Sequence, residues 1–128
     1  MAASAQLPRQ ARKMTANEKF AALQEEYLAK IDEKFLEISD SWLAYSESQG
    51  ERESYLEKLY RHLHSMAGTS GILGIDEVSN LARKAENVLI GKKQLDDGEE
   101  KRVIETLAKL NELISQGQIV ARTIDINA

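Results

Sequence analysis

Both histidines of the chain, and three of its seven glycines, fall within one short segment that runs from Arg61 through His62, His64, Gly68 and Gly71 to Gly74. Imidazole is the side chain best able to act as nucleophile, proton carrier or metal ligand near neutral pH, so chemistry is sought here first. His62 and His64 stand two residues apart, roughly 200° around a helix, and cannot share a metal as an i, i+4 pair would. No metal site is expected. The absence of cysteine removes a thiolate nucleophile and a Cys-type zinc site. No glycine-rich phosphate loop follows a strand and no H-E-x-x-H pattern is present, so most enzyme classes, nucleotide-dependent kinases and phosphatases included, have nothing to stand on.

Glycine in a helix interior costs roughly 0.5–1 kcal/mol relative to alanine, so Gly68 and Gly71 ask for a compensating reason. One reason is close packing of two helices. The other is bare space: Gly68 lies one turn after His64 on the same face and leaves room beside that imidazole for a partner's atoms. Spacing alone leaves both open.

The elements that must hold this segment are helical. Thr15-Ala16-Asn17-Glu18 has the form of a capping box, and Phe20, Leu23, Tyr27, Ile31, Phe35, Ile38, Trp42 and Tyr45 follow at steps of three or four. As one helix this stripe spans ~45 Å at 1.5 Å per residue. It could bend at Ser39-Asp40-Ser41, or divide near Lys30-Ile31 to give a short extra N-terminal helix. Gly50 ends a turn cluster, and Leu56, Leu59, Tyr60, Leu63 and Ala67 carry a second stripe from near Glu51 to about Leu73. Gly74 suits a left-handed C′ residue and Asp76 can cap the next helix. Val78, Leu81, Ala82, Ala85, Val88 and Leu89 form a third stripe stopped by Gly91. After the acidic start Asp97-Gly98-Glu99-Glu100, Val103, Ile104, Leu107, Leu110, Leu113 and Ile114 form a fourth, stopped by Gly117. Short connections between helices predict an all-α, antiparallel up-down-up-down four-helix bundle over residues 15–117. Residues 1–14 read as a flexible arm, and residues 118–128 as a frayed tail or a linker cut from a longer protein.

The totals agree. A chain of 128 residues with 42% hydrophobic residues suits one domain, and its only proline, Pro8, precedes every stripe. A net charge of -4 lacks the basic footprint of nucleic-acid binding; only Arg9, Arg12 and Lys13 make the arm locally basic. No apolar run reaches the ~18 residues of a membrane span, and Met1–Met14 lacks the apolar core of a secretory signal, so no membrane insertion is expected. A cytoplasmic setting fits a chain without cysteine.

From His64 to Gly74 the segment resembles the signature of histidine-containing phosphotransfer (HPt) domains: a histidine, an apolar residue two later, glycine at plus four, small hydroxyl residues, and a second glycine at plus ten. Leu81, Ala85 and Glu86 fall where that family carries the apolar face of its next helix and then a Glu or Gln. The resemblance covers about residues 20 to 115 and selects His64 over His62, because only His64 has glycine four residues on. It implies a phosphoryl carrier that is not itself an enzyme, with His64 phosphorylated by exchange with the aspartate of a response-regulator receiver domain, or fed by a hybrid sensor kinase. It further implies that Glu86 orients the ring through Nδ1–H, that Gly68 gives access, and that Mg²⁺ comes with the receiver, so the chain binds no cofactor of its own. Imidazoles of ordinary pKa, ~6.5, are largely neutral at pH 7 and can attack without a dedicated base.

One departure stands out. The family commonly has lysine three residues after the histidine, and Ala67 occupies that position. Arg83, one turn before Glu86, and Arg61, one turn before His64, are the candidates to supply the missing charge. Partner choice is expected to rest on Ser65, Ala67, Gly71 and Asn87. The alternative is a helical interaction module that binds a receiver or another partner without carrying phosphate, with Ala67 as the mark of lost chemistry.

Overall fold

The computed structural model describes residues 14–127. It contains four helices, α1 (Ala16–Glu47), α2 (Arg52–Ile72), α3 (Asp76–Leu89) and α4 (Asp97–Ser115), and no strand among the described residues. The basic arm carrying Arg9, Arg12 and Lys13 lies outside them.

Local chemistry sets the helix ends. The Glu18 backbone N–H donates to Thr15 Oγ1 at 3.1 Å and the Thr15 N–H donates to the Glu18 carboxylate at 3.0 Å, so two otherwise unpaired donors are satisfied reciprocally. At α4 the same box is closed by Asp96, one residue earlier than the sequence suggested, with Glu99 as its partner. α1 then runs unbroken for 32 residues, about 48 Å at 1.5 Å per residue. It passes Lys30-Ile31 without dividing. It also passes Ser39-Asp40-Ser41, where the Ser41 hydroxyl donates to the Glu37 carbonyl at 2.9 Å and stays within the helix. The sequence's option of a short extra N-terminal helix is therefore not taken up in residues 14–47. Asp76 does not cap α3: Ile75 holds the cap position, and the Asp76 carboxylate turns to Arg122.

Each helix packs against its neighbour in the chain, and α4 also touches α1, so the four enclose one core. Ile38, Tyr45, Leu56, Leu59, Leu63, Val78, Val103 and Leu110 are fully buried in it. The start of α1 meets the end of α2, where Gln24 Nε2 donates to the Leu73 carbonyl at 2.7 Å. The end of α1 meets the approach to α4, where the buried Leu95 N–H donates to the Tyr45 hydroxyl at 2.7 Å.

The α1 stripe departs from expectation at one step. Leu23 is exposed and Gln24 is buried in its place. The reason is the tail. Residues 118–127 lie back across the α2–α3 turn, where Gln24 Nε2 also donates to the Arg122 carbonyl at 2.8 Å and the Arg122 N–H donates to the Gly74 carbonyl at 2.9 Å. Gly74 has φ +71°, and a Cβ there would meet Ile124 at 3.0 Å and Arg122 at 3.3 Å, so glycine serves both the left-handed turn and the tail's close approach. The tail is thus docked as far as Ile126, whose N–H donates to Asn17 at 2.8 Å.

Candidate functional site

His64 stands on the outer side of α2 with its side chain 68% exposed, and Nδ1 lies 2.5 Å from Glu86 Oε1 on α3, whose side chain is 9% exposed. Small residues make that approach possible. Ala67 is 1% exposed, and Ser79 Oγ donates to its carbonyl at 2.7 Å across the α2–α3 contact. A Cβ on Gly71 would meet Ser79 Oγ at 3.1 Å, whereas a Cβ on Gly68 would meet nothing within 4 Å. The two glycines therefore divide between the two reasons. Gly71 lets the helices close, and Gly68 leaves bare space one turn from the imidazole.

Against a carboxylate acceptor, a neutral imidazole carries its proton on Nδ1 and keeps the Nε2 lone pair, in the ring plane, directed away from that acceptor. The arrangement can therefore present one unprotonated ring nitrogen to solvent, with the opposite edge anchored. His62 is turned elsewhere: its Nδ1 lies 3.4 Å from Glu37 Oε2 on α1. Sequence reasoning did not anticipate the Tyr60 ring, which stacks on His64 with centroids 5.8 Å apart and planes 14° from parallel. The signal is present in the i, i+4 spacing, but Tyr60 fits the apolar stripe equally well.

The other residues singled out from the sequence fall differently. Ser65, Gly71 and Asn87 are exposed. Ala67 is not: it is 1% exposed and belongs to the core, so it offers no docking surface and has to be removed from that set. Arg61 is exposed and its guanidinium is held 2.6 Å from Glu57, one turn back. The Arg83 guanidinium reaches toward Gly71, 3.9 Å from where a Cβ would stand there, which is two turns along α2 from His64. Neither cation is paired with Glu86. Among the described residues no three His, Cys, Asp or Glu side chains converge on a possible metal position, and no helix is long and apolar enough to cross a membrane.

The sequence model of the family described as Hpt domain matches residues 15–118. No curated protein and no solved structure matches the chain. The family match spans all four helices with both His64 and Glu86, and the chain belongs to the histidine-containing phosphotransfer (Hpt) domain family, whose members carry phosphoryl groups on histidine in two-component signalling.

Proposed function

We propose that this chain is a phosphorelay intermediate in which His64 accepts a phosphoryl group from the aspartate of a response-regulator receiver domain and can return it, with a hybrid sensor kinase as the further partner. The observation that carries the reading is an exposed imidazole whose Nδ1 is held 2.5 Å from a largely buried carboxylate, beside the bare surface of Gly68. In the accepting step the Nε2 lone pair forms a bond to phosphorus, the P–O bond to the aspartyl carboxylate breaks, and its electron pair leaves with that carboxylate. The Nδ1 proton stays shared with Glu86, whose charge offsets the positive charge the ring acquires. In-line approach needs room beside the ring, and Gly68, one turn on, adds no side chain there.

Mg²⁺ in this reading is held by the receiver and supplies charge stabilisation from that side. With alanine at position 67, the candidates for the chain's own cation are Arg83, whose guanidinium lies by Gly71 two turns from His64, and Arg61, which is engaged by Glu57. Ser65, Gly71 and Asn87, all exposed, are the partner-selecting surface in this reading. The contacts of α1 with the end of α2 and with the approach to α4 fit an antiparallel, up-down-up-down order over residues 15–117. A cytoplasmic location suits exchange with receivers and kinases.

The test is incubation with a phosphorylated receiver and Mg²⁺, reading acid-labile, alkali-stable phosphate on the chain. Label on the parent and none on His64→Ala is expected. Tight receiver binding with no label on the parent would instead establish a phosphate-independent interaction module.

A further inference from the structure

A single hydrogen bond at Nδ1 leaves the plane of the His64 ring some rotation about its Cβ–Cγ bond, since a hydrogen bond tolerates a range of angles. The Tyr60 ring restricts that rotation. It lies one turn earlier on α2, 14° from parallel at a centroid separation of 5.8 Å, an offset stack within the ~4.5–7 Å range that aromatic pairs favour. Tyr60 is itself half-buried and forms one wall of a hollow at the α2–α3 joint, with Leu56, Leu89 and Ile90 among the others. The stacking partner is thus seated by packing and not free in solvent.

We infer that Tyr60 is a positioning residue for His64, its ring fixing the imidazole plane in which Nε2 meets phosphorus and offsetting the positive charge that develops when the N–P bond forms. The inference rests on the phosphotransfer reading of His64. A stack on the ring face leaves attack unobstructed, because the Nε2 lone pair lies in the ring plane and points out past the edge. The phenol's π face is also the negative end of its quadrupole, so its attraction grows as the imidazole becomes cationic, while Glu86 acts on the same developing charge from the edge. One group holds the edge and the other the face.

The experiment compares the full-length parent with Tyr60→Phe, Tyr60→Leu and Tyr60→Met, each first checked for folding by thermal melting. Proton NMR of the His64 ring reads the stack directly: ring-current shielding is expected in the parent and Tyr60→Phe and is expected to vanish in the two ringless variants. Single-turnover transfer is then followed from a phosphorylated receiver and from a small phosphoramidate donor. Loss of the ring should lower the maximal rate about three- to five-fold with both donors, the size expected for an exposed cation–π contact, and leave the half-saturating receiver concentration unchanged. Tyr60→Phe should match the parent. Parent-like rates in Tyr60→Leu and Tyr60→Met would overturn the inference, as would a loss confined to the receiver, which would make Tyr60 a docking contact. A fall shared by Tyr60→Phe would also overturn it, because the hydroxyl would then be the active feature. If the parent takes phosphate from neither donor, the phosphotransfer reading fails and this one with it; a labelled parent with indifferent ringless variants sinks Tyr60 alone.

Discussion

Glu86 is the residue on which the geometry of His64 turns, since its Oε1 is the one carboxylate oxygen 2.5 Å from Nδ1. Replacing it with glutamine keeps the size and an acceptor oxygen but removes the charge, so Glu86→Gln is expected to fold normally and transfer more slowly. Glu86→Ala removes both, and a loss of about ten-fold or more in single-turnover rate is expected, as is usual when the partner that orients a functional imidazole is deleted. Equal rates for all three proteins would show that the contact is structural only. The sequence could single out His64 over His62 because only His64 has a glycine, Gly68, four residues on. It could not place Ala67. A small residue reads alike on a surface or in a tight helix contact, and only the Ser79 hydroxyl bonded to its carbonyl at 2.7 Å shows which applies.

Among the helices, the two glycines of α2 should respond oppositely to the same substitution. Gly68→Ala meets no neighbour and gains helix propensity, so it should stabilise the fold by about 0.5–1 kcal/mol while slowing transfer by filling the space beside His64. Gly71→Ala meets Ser79 Oγ at 3.1 Å, and that hydroxyl cannot swing aside without giving up the Ala67 carbonyl. Its melting temperature should fall below that of Gly68→Ala by several degrees, at about 4 °C per kcal/mol for a domain between the 60–100- and 150–250-residue ranges. Thermal denaturation of both variants decides this, and equal melting temperatures would contradict the assignment of Gly71 to packing. Helix number and most boundaries were legible because capping boxes and left-handed glycines are local signals: Thr15 with Glu18 is written within four residues. The exchange of Leu23 for Gln24 in the core was not. Periodicity favours leucine there, and it is overruled by two carbonyls, at Leu73 and Arg122, that reach the site from far along the chain.

Over the whole molecule, the tail ties the chain's end to the α2–α3 turn and to the start of α1. Arg122 Nε lies 2.6 Å from Asp76 Oδ2, Asn17 Nδ2 donates to Asp125 at 3.0 Å, and the Ile126 N–H donates to Asn17 at 2.8 Å. None of these pairs has a periodic pattern to announce it, which is why the sequence left residues 118–128 open. The Arg122 guanidinium holds the Asp76 carboxyl below the usual carboxylate range, and the Asn17 amide does the same for Asp125. Both folded-state values lie under the unfolded ones, so the stabilisation they provide is complete above the ordinary carboxylate value of ~3.9 and is lost only as pH falls through the lower, folded value. Amide protection at Arg122 and Ile126 should therefore stay constant from pH 7 to 5 and weaken under stronger acid; release of the tail near pH 6 would contradict these contacts. Truncation after Gln118 should lower the melting temperature, because Gly74 loses the donor to its carbonyl and Gln24 one of its two acceptors.

The proposed phosphotransfer comes down to one nitrogen, and locating the phosphate decides whether it is that of His64. The parent, His62→Gln and His64→Gln are each exposed to a phosphorylated receiver, and the modified residue is mapped by tandem mass spectrometry under alkaline conditions that preserve phosphohistidine. Phosphate is expected on His64 in the parent and in His62→Gln, and nowhere in His64→Gln. Phosphate on His62, or a labelled His64→Gln protein, would overturn the assignment.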